Sequence, residues 1–344
     1  MIDNHLKHGN DQNIDSTRII WPRVVDLNDR AVRNVTVGLG GPANGVVRED
    51  RFDITAASEV MAILVLASDY ADLRKRLGEI VIGQRMDGTP IKSEDIGAAG
   101  AMCLLLRDAF LPNLVQTIEG APAFIHGGPF ANIAHGNSSI IADRLALGAA
   151  DFVVTEAGFG SDMGAEKFMH IKAANSDKAP DCVVMNVTVR SMKLHGGAFG
   201  PRAARRPSKE EIEKEDVEAV RTGAESNLDR HINNMSQFGM PVVVSVNRFA
   251  SDTDAELQCL IECAHNSGAT SVCLTEVHGK GGPGGADLAR AVVTACQDNI
   301  AAGRPFTPLF NKDTPIEEKA LRIATVSYTH LRAHETLRYL VCRL

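Results

Sequence analysis

None of the seven cysteines stands in a Cys-x-x-Cys pair. Cys103, Cys182, Cys259, Cys263, Cys273, Cys296 and Cys342 are odd in number and scattered. A disulfide framework or a closed zinc site is therefore not expected, and all seven read as reduced. Cys259 and Cys263 are four apart with His265 nearby, which reads as two small core residues on one helix face in preference to a metal site. Positive charge is also short: 36 Lys and Arg against 43 Asp and Glu leave a net charge of −7. That argues against nucleic acid or an anionic membrane as partner, since both need a basic surface. No uninterrupted apolar run approaches the ~20 residues that span a bilayer. The N-terminus, Met1-Ile-Asp-Asn-His-Leu-Lys-His8, lacks the basic start and apolar centre of a secretory signal. The expected location is the cytoplasm. A Walker-type Gly-x4-Gly-Lys-Ser/Thr loop is missing as well, so the chain has no obvious cradle of its own for a nucleoside triphosphate.

What is present is a chain of 344 residues, 44% hydrophobic and 23% charged, with the make-up of a globular protein and length for about two domains. Its first fifty residues are polar, with Ile19 to Pro22 and Val24 to Arg30 reading as an arm that enters a helix. Asp53 to Thr55 are expected to cap a helix running through Glu59 to about Ala67, and Ser68 to cap one from Asp69 to Leu77. Glu79 to Ile82 reads as a strand, Met86-Asp-Gly-Thr89 as a turn, and Ala99 to Phe110 as a helix ended by Pro112.

A strand-then-helix rhythm follows. Leu114 to Thr117 and Ala123 to Ile125 read as short strands. Phe152 to Thr155, Val183 to Val189, Val242 to Val246 and Val272 to Leu274 are β-branched runs without polar alternation. Such runs are buried on both faces, which predicts a parallel sheet covered by helices at Ser139 to Leu147, Glu225 to Phe238, Asp254 to His265 and Ala286 to Ile300. The expectation is a doubly wound α/β fold.

Three glycine-rich turns carry the candidate chemistry: Phe124 to Ser139, Phe152 to Phe168 and Val187 to Gly197. In an open parallel sheet the residues just past the strand ends face the ligand crevice. His126, His135 and His195 each sit beside glycines, where backbone approaches a ligand closely. Arg190 and Lys193 supply positive charge for a phosphate or carboxylate, or enter structural ion pairs. Thr155, Glu156 and Asp162 offer oxygens for a cation, or cap the helix that includes Glu166. Arg202, Arg205 and Arg206 precede an acid-rich helix and read as a solvated insertion in preference to a phosphate contact. Gly158-Phe-Gly160-Ser-Asp-Met-Gly164 imitates a dinucleotide fingerprint, but no acidic residue ends a following strand where a ribose would be held.

These motifs, with Asp53-Ile-Thr-Ala-Ala-Ser-Glu-Val-Met-Ala62, Pro112-Asn-Leu-Val-Gln-Thr-Ile-Glu-Gly120 and Val242-Val-Val-Ser-Val-Asn-Arg-Phe249, resemble the formate–tetrahydrofolate ligases from about residue 1 to 325. The Val-Arg-x-x-Lys-x-His-Gly-Gly run is the most specific part. Departures are Asn186 and Val187, where the family usually shows Val and Ala, and Ser191 for Ala. The resemblance implies a P-loop-NTPase-like, doubly wound, mostly parallel sheet with flanking helices, plus a second α/β domain that binds folate. It divides the chain into 1–110 (arm and part of a nucleotide-binding domain), 111–225 (central core with the crevice), 226–325 (folate side) and 326–344. That last stretch looks like a non-native tail.

The activity implied is ATP-dependent ligation of formate to tetrahydrofolate through formyl phosphate, giving 10-formyltetrahydrofolate. Mg²⁺ and a monovalent cation, K⁺ or NH₄⁺, are implied as cofactors, and a homotetramer as the assembly. Carried over, the catalytic set is His126, Gly127, Gly128, Asn132, His135 and Arg190. The cofactor and folate set is Thr155, Glu156, Lys193, His195, Asn247, Phe249 and His278; metal ligands are left unassigned. Phe249 matches an aromatic that clamps the pterin, with Ala250 in place of Pro, and His278 stands where Trp or Phe is commoner. Because the family's phosphate loop lies upstream of the position matched by Met1, the chain is expected to be an internal fragment, inactive alone. Two rivals stay open: a dehydrogenase using Gly158 to Gly164, and a non-catalytic folded module.

Overall fold

The computed structural model describes residues 1–27, 29–131, 134–176, 178–200 and 207–327. Asn132, Arg202, Arg205, Arg206 and residues 328–344 lie outside the described residues. The chain is mixed α/β, with 13 α-helices and both parallel and antiparallel sheets among the described residues. It divides into two compact units, Met1–Ser176 and Asp177–Leu344.

In the first unit an antiparallel sheet runs in the order Ile14–Ile19, Val81–Arg85, Pro90–Lys92. The expected turn joins the last two: Gly88 takes φ +85°, and Asp87 Oδ1 accepts from the Thr89 N–H at 2.9 Å. Leu73 and Leu77, four apart on the helix Tyr70–Gly78, bury against Ile14, Ile82 and Ile91. Each such side chain contributes about 1.5–3 kcal/mol of transfer free energy, so this cluster anchors the unit. Two helix starts differ from expectation. Residues 55–57 close a tight turn of their own, leaving Ser58 Oγ to accept from the Met61 N–H at 3.1 Å and cap Glu59–Leu66. Asp69, one residue after Ser68, caps the next helix by accepting from Asp72 at 2.8 Å.

The strands expected near 114 and 123 form an exposed antiparallel hairpin, Asn113–Gln116 with Pro122–Ile125, and pair with no parallel neighbour among the described residues. Phe152 to Thr155 is not a strand. Its polar groups turn to a side chain: Asn137 Nδ2 donates to the Glu156 carbonyl, and Thr155 Oγ1 donates to Asn137 Oδ1 at 3.3 Å. Val154 is 90% exposed, against the expectation of a strand covered on both faces.

In the second unit the expectation of parallel strands holds. Val183–Val187, Val242–Asn247 and Ser271–Thr275 pair in parallel in that order, Val187 opposite Val246 and Ser245 opposite Cys273. Val242 to Val246 of the central strand are buried, as a strand covered on both faces must be. Crossover helices follow the predicted segments: Asp229–Ser236, Asp254–Asn266 and Ala286–Ala301, with Cys259 and Cys263 both buried on the second. The helices Val189–His195 and Val217–Gly223 meet backbone to backbone. A Cβ at Gly196 would stand 1.8 Å from the Ala219 carbonyl oxygen, and one at Gly223 2.0 Å from that of Met192.

Candidate functional site

The predicted residues fall into two groups, one in each unit. In the first unit His126 follows the hairpin and is buried; its Nε2 lies 2.8 Å from the Ala109 carbonyl oxygen and its Nδ1 2.5 Å from Ser139 Oγ. A carbonyl only accepts, so the proton sits on Nε2 and the Ser139 hydroxyl donates to Nδ1. Ser139 Oγ in turn accepts from the Ala142 N–H at 2.9 Å, starting the helix Ile140–Leu147. Both ring nitrogens of His126 are thus occupied by the protein. Gly127 and Gly128 follow it at the surface.

His135 is 1% exposed and its Nε2 has no hydrogen-bond partner. Burial, with the Lys172 ammonium adding to it, pushes its pKa down to about 4, so the ring is neutral near pH 7. Thr155 and Glu156 are exposed and tethered by Asn137. Behind them lies a cluster the sequence reading missed. Lys172 Nζ donates to Asn137 Oδ1 at 2.5 Å and pairs with Asp143 Oδ2 at 2.5 Å, with its side chain 1% exposed. Burial lowers the Lys172 pKa against the opposing pull of Asp143, and burial raises that of Asp143. Glu166 is buried too, with Oε1 unpartnered, and burial reinforced by the Asp162 charge pushes it up to about 8. The available signal was a lysine among Phe168, Met169 and Ala173, all buried, where a solvated cation has no place.

In the second unit three successive strand ends contribute. Past Val183–Val187, Thr188 Oγ1 caps the helix Val189–His195, which carries Arg190, Lys193 and His195. Past Val242–Asn247, whose last residue Asn247 lies opposite Thr275, comes Phe249. Past Ser271–Thr275, the short helix Val277–Lys280 presents His278 at the surface. The Arg190 guanidinium lies 4.2 Å from the Phe249 ring centroid, and its Nη2 donates to Ser251 Oγ at 3.3 Å. Lys193 does something else: its ammonium pairs with Glu256 Oε1 at 2.6 Å and donates to the carbonyls of Ile212 and Lys214 at 3.2 and 2.8 Å. An ammonium has three protons, and three acceptors are in place. His195 is half-buried at the helix end.

The dinucleotide-fingerprint reading lacks its context. That motif needs a strand leading into the turn, and Phe152 to Ala157 contains none; Gly160 leads into a wide helical turn, Ser161–Ala165, and Phe159 takes φ +64°. Among the described residues no group of three His, Cys, Asp or Glu could hold a metal ion. No helix among them is long and apolar enough to cross a membrane.

Arg190, Phe249 and His278 follow consecutive parallel strands of a mixed α/β chain, at the end of the sheet where such folds commonly take small molecules. Compared with known families, residues 1–335 match formate–tetrahydrofolate ligase, and the chain belongs to that family. The match continues ten residues past Thr325, into the stretch 326–344 that looks non-native by sequence. Membership implies ligation of formate to tetrahydrofolate with ATP as co-substrate, and it disfavours the dehydrogenase reading.

Proposed function

We propose that the chain serves ATP-dependent formation of 10-formyltetrahydrofolate through formyl phosphate. A formate oxygen attacks the γ-phosphorus of ATP and ADP leaves; the N10 amine of tetrahydrofolate then attacks the formyl carbon, phosphate leaves, and N10 loses its proton. Mg²⁺ enters with the nucleotide, whose phosphate oxygens it prefers to an all-protein cage. On this reading the second unit takes the folate, with Phe249 and His278 on either side of the pterin and Asn247 at the strand end between them. In the first unit, Gly127 and Gly128 offer backbone amides, and Thr155 and Glu156 offer oxygens of the kind a monovalent cation takes. The same reading includes a doubly wound P-loop-like sheet, a homotetramer and a cytoplasmic location.

The observation that carries the proposal is the family match over residues 1–335, joined to Phe249 and His278 following neighbouring parallel strands. The test separates the two chemical steps. Purified chain is given tetrahydrofolate with synthetic formyl phosphate, and 10-formyltetrahydrofolate is followed by chromatography. Acceleration over the uncatalysed reaction, lost in Phe249→Ala, is the expected outcome. No acceleration and no tetrahydrofolate binding by calorimetry would overturn the assignment.

A further inference from the structure

We propose that Arg190 is a positioning residue: with Ser251 and Asp252 it braces the Phe249 ring at the end of the central strand and covers one ring face, leaving the other for a flat ligand. The proposal rests on the reading of Phe249 as a stacking surface, and it replaces the expectation that Arg190 meets a phosphate or carboxylate.

Three contacts carry it. The guanidinium carbon is 4.2 Å from the ring centroid, well inside the roughly 6 Å over which a cation and an aromatic face attract. A planar cation at that distance occupies the face it covers. Second, Arg190 is itself held: Nη2 donates to Ser251 Oγ at 3.3 Å, and Nε is withdrawn from solvent with no acceptor opposite it. Third, the ring's own backbone is locked from both sides. The Phe249 N–H donates to Asp252 Oδ2 at 2.8 Å, and the Asp252 N–H returns a bond to the Phe249 carbonyl at 3.0 Å. Asp252 is 6% exposed, so this closed loop is shielded from competing water.

The elements also agree. Arg190 lies in the first turn of the helix that follows one strand, and Phe249 follows the next; Val187 and Val246 are paired across those strands. The two side chains are therefore brought together by the sheet register. A ring free to turn about χ1 and χ2 would lose that freedom on binding, at a cost to affinity. A ring already held presents its open face at no such cost.

The test is a double-mutant cycle on tetrahydrofolate affinity, measured by calorimetry, with Arg190→Gln, Phe249→Leu and the pair. It is accompanied by ¹⁹F spectra of fluorophenylalanine-labelled protein, in which Phe249→Leu identifies the Phe249 resonance. Arg190→Gln is expected to weaken binding about three- to tenfold, the scale of one cation–aromatic contact. It should cost nothing more once Phe249 is gone, and it should shift and broaden the Phe249 resonance. Arg190→Lys, which keeps the charge but not the plane, should restore affinity only in part. Independent losses in the double variant, or an unmoved resonance, would overturn the proposal. If Phe249→Leu binds tetrahydrofolate as the parent does, the stacking reading fails on its own, and the resonance still decides whether Arg190 holds the ring. Should Arg190→Gln not fold, the Arg190→Lys spectrum is read in its place, with an unmoved resonance again the overturning result.

Discussion

The Lys193 ammonium lies 2.6 Å from Glu256 Oε1, with both side chains withdrawn from water at 1% and 0% exposure. Glu256 also accepts the Asp216 N–H at 2.8 Å and completes a capping box with Thr253 at the start of Asp254–Asn266. One ion pair thus ties the helix after the first parallel strand to the helix after the second. Removing one partner leaves a buried charge unpaired, which typically costs about 3–5 kcal/mol. Lys193→Met is expected to destabilise the chain on that scale in urea denaturation. Lys193→Met with Glu256→Gln should cost less than the two single changes added. Additive losses would mean that the two groups do not act as a pair.

The pH dependence of stability follows from three buried groups in the first unit. Burial pushes His135 and His170 from 6.5 down to about 4, so between those values the unfolded chain binds more protons and stability rises with pH. Glu166 is displaced the other way, from 4.5 up to about 8; over that span the folded chain keeps a proton the unfolded chain has released, and stability falls as pH rises. Of these three groups, the two histidines outweigh the glutamate below pH 6.5, and only the glutamate still contributes between 6.5 and about 8. The expected profile peaks near pH 6.5 and declines toward 8, and Glu166→Gln should flatten the decline while keeping the rise. A parent protein equally stable at both ends of the upper window would contradict the placement of Glu166.

Asn137 joins the segment around Thr155 and Glu156 to Lys172 and, through it, to Asp143. Asn137→Ala should destabilise the unit by about 1–3 kcal/mol, the cost of leaving buried polar partners unsatisfied. It should also open the chain near Val154 to limited proteolysis. Unchanged cleavage there would show that other contacts hold the segment.

At the folate side, imidazole offers less stacking face than indole, and a well-placed aromatic pair contributes ~1 kcal/mol beyond its buried area. His278→Trp is therefore expected to tighten tetrahydrofolate binding several-fold by calorimetry. Equal affinity in the two proteins would count against His278 as a wall of the pterin site.

The sequence contains no Gly-x4-Gly-Lys-Ser/Thr loop, and positioning of the γ-phosphate is most of what phosphoryl transfer requires. Purified chain is accordingly expected to form 10-formyltetrahydrofolate much faster from formyl phosphate and tetrahydrofolate than from ATP, formate and tetrahydrofolate. Equal rates from the two sets of substrates would falsify the claim that such a loop limits the phosphoryl step.

Much of the second unit was legible, because runs such as Val242 to Val246 have one physical solution, burial on both faces. Phe152 to Thr155 carries the same signal and fails. Nothing in its own composition reveals that Asn137, fifteen residues upstream of Phe152, holds its far end through the Glu156 carbonyl and the Thr155 hydroxyl. Residue type was legible where surroundings were not. Arg190 and Lys193 read alike as fixed charge, yet one lies over a ring and the other is sealed in an ion pair. Which groups face a side chain depends on elements far along the chain, such as Ser251 and Glu256.

Gly196 and Gly223, where two helices touch backbone to backbone, have a mechanical consequence. With no side chain between them to act as a compliant spacer, the helix bearing Arg190 has little room to slide or roll on its neighbour. A methyl at either glycine would act as a wedge at the fulcrum of a short lever. The displacement would be delivered at the other end of that helix, where Arg190 meets Phe249.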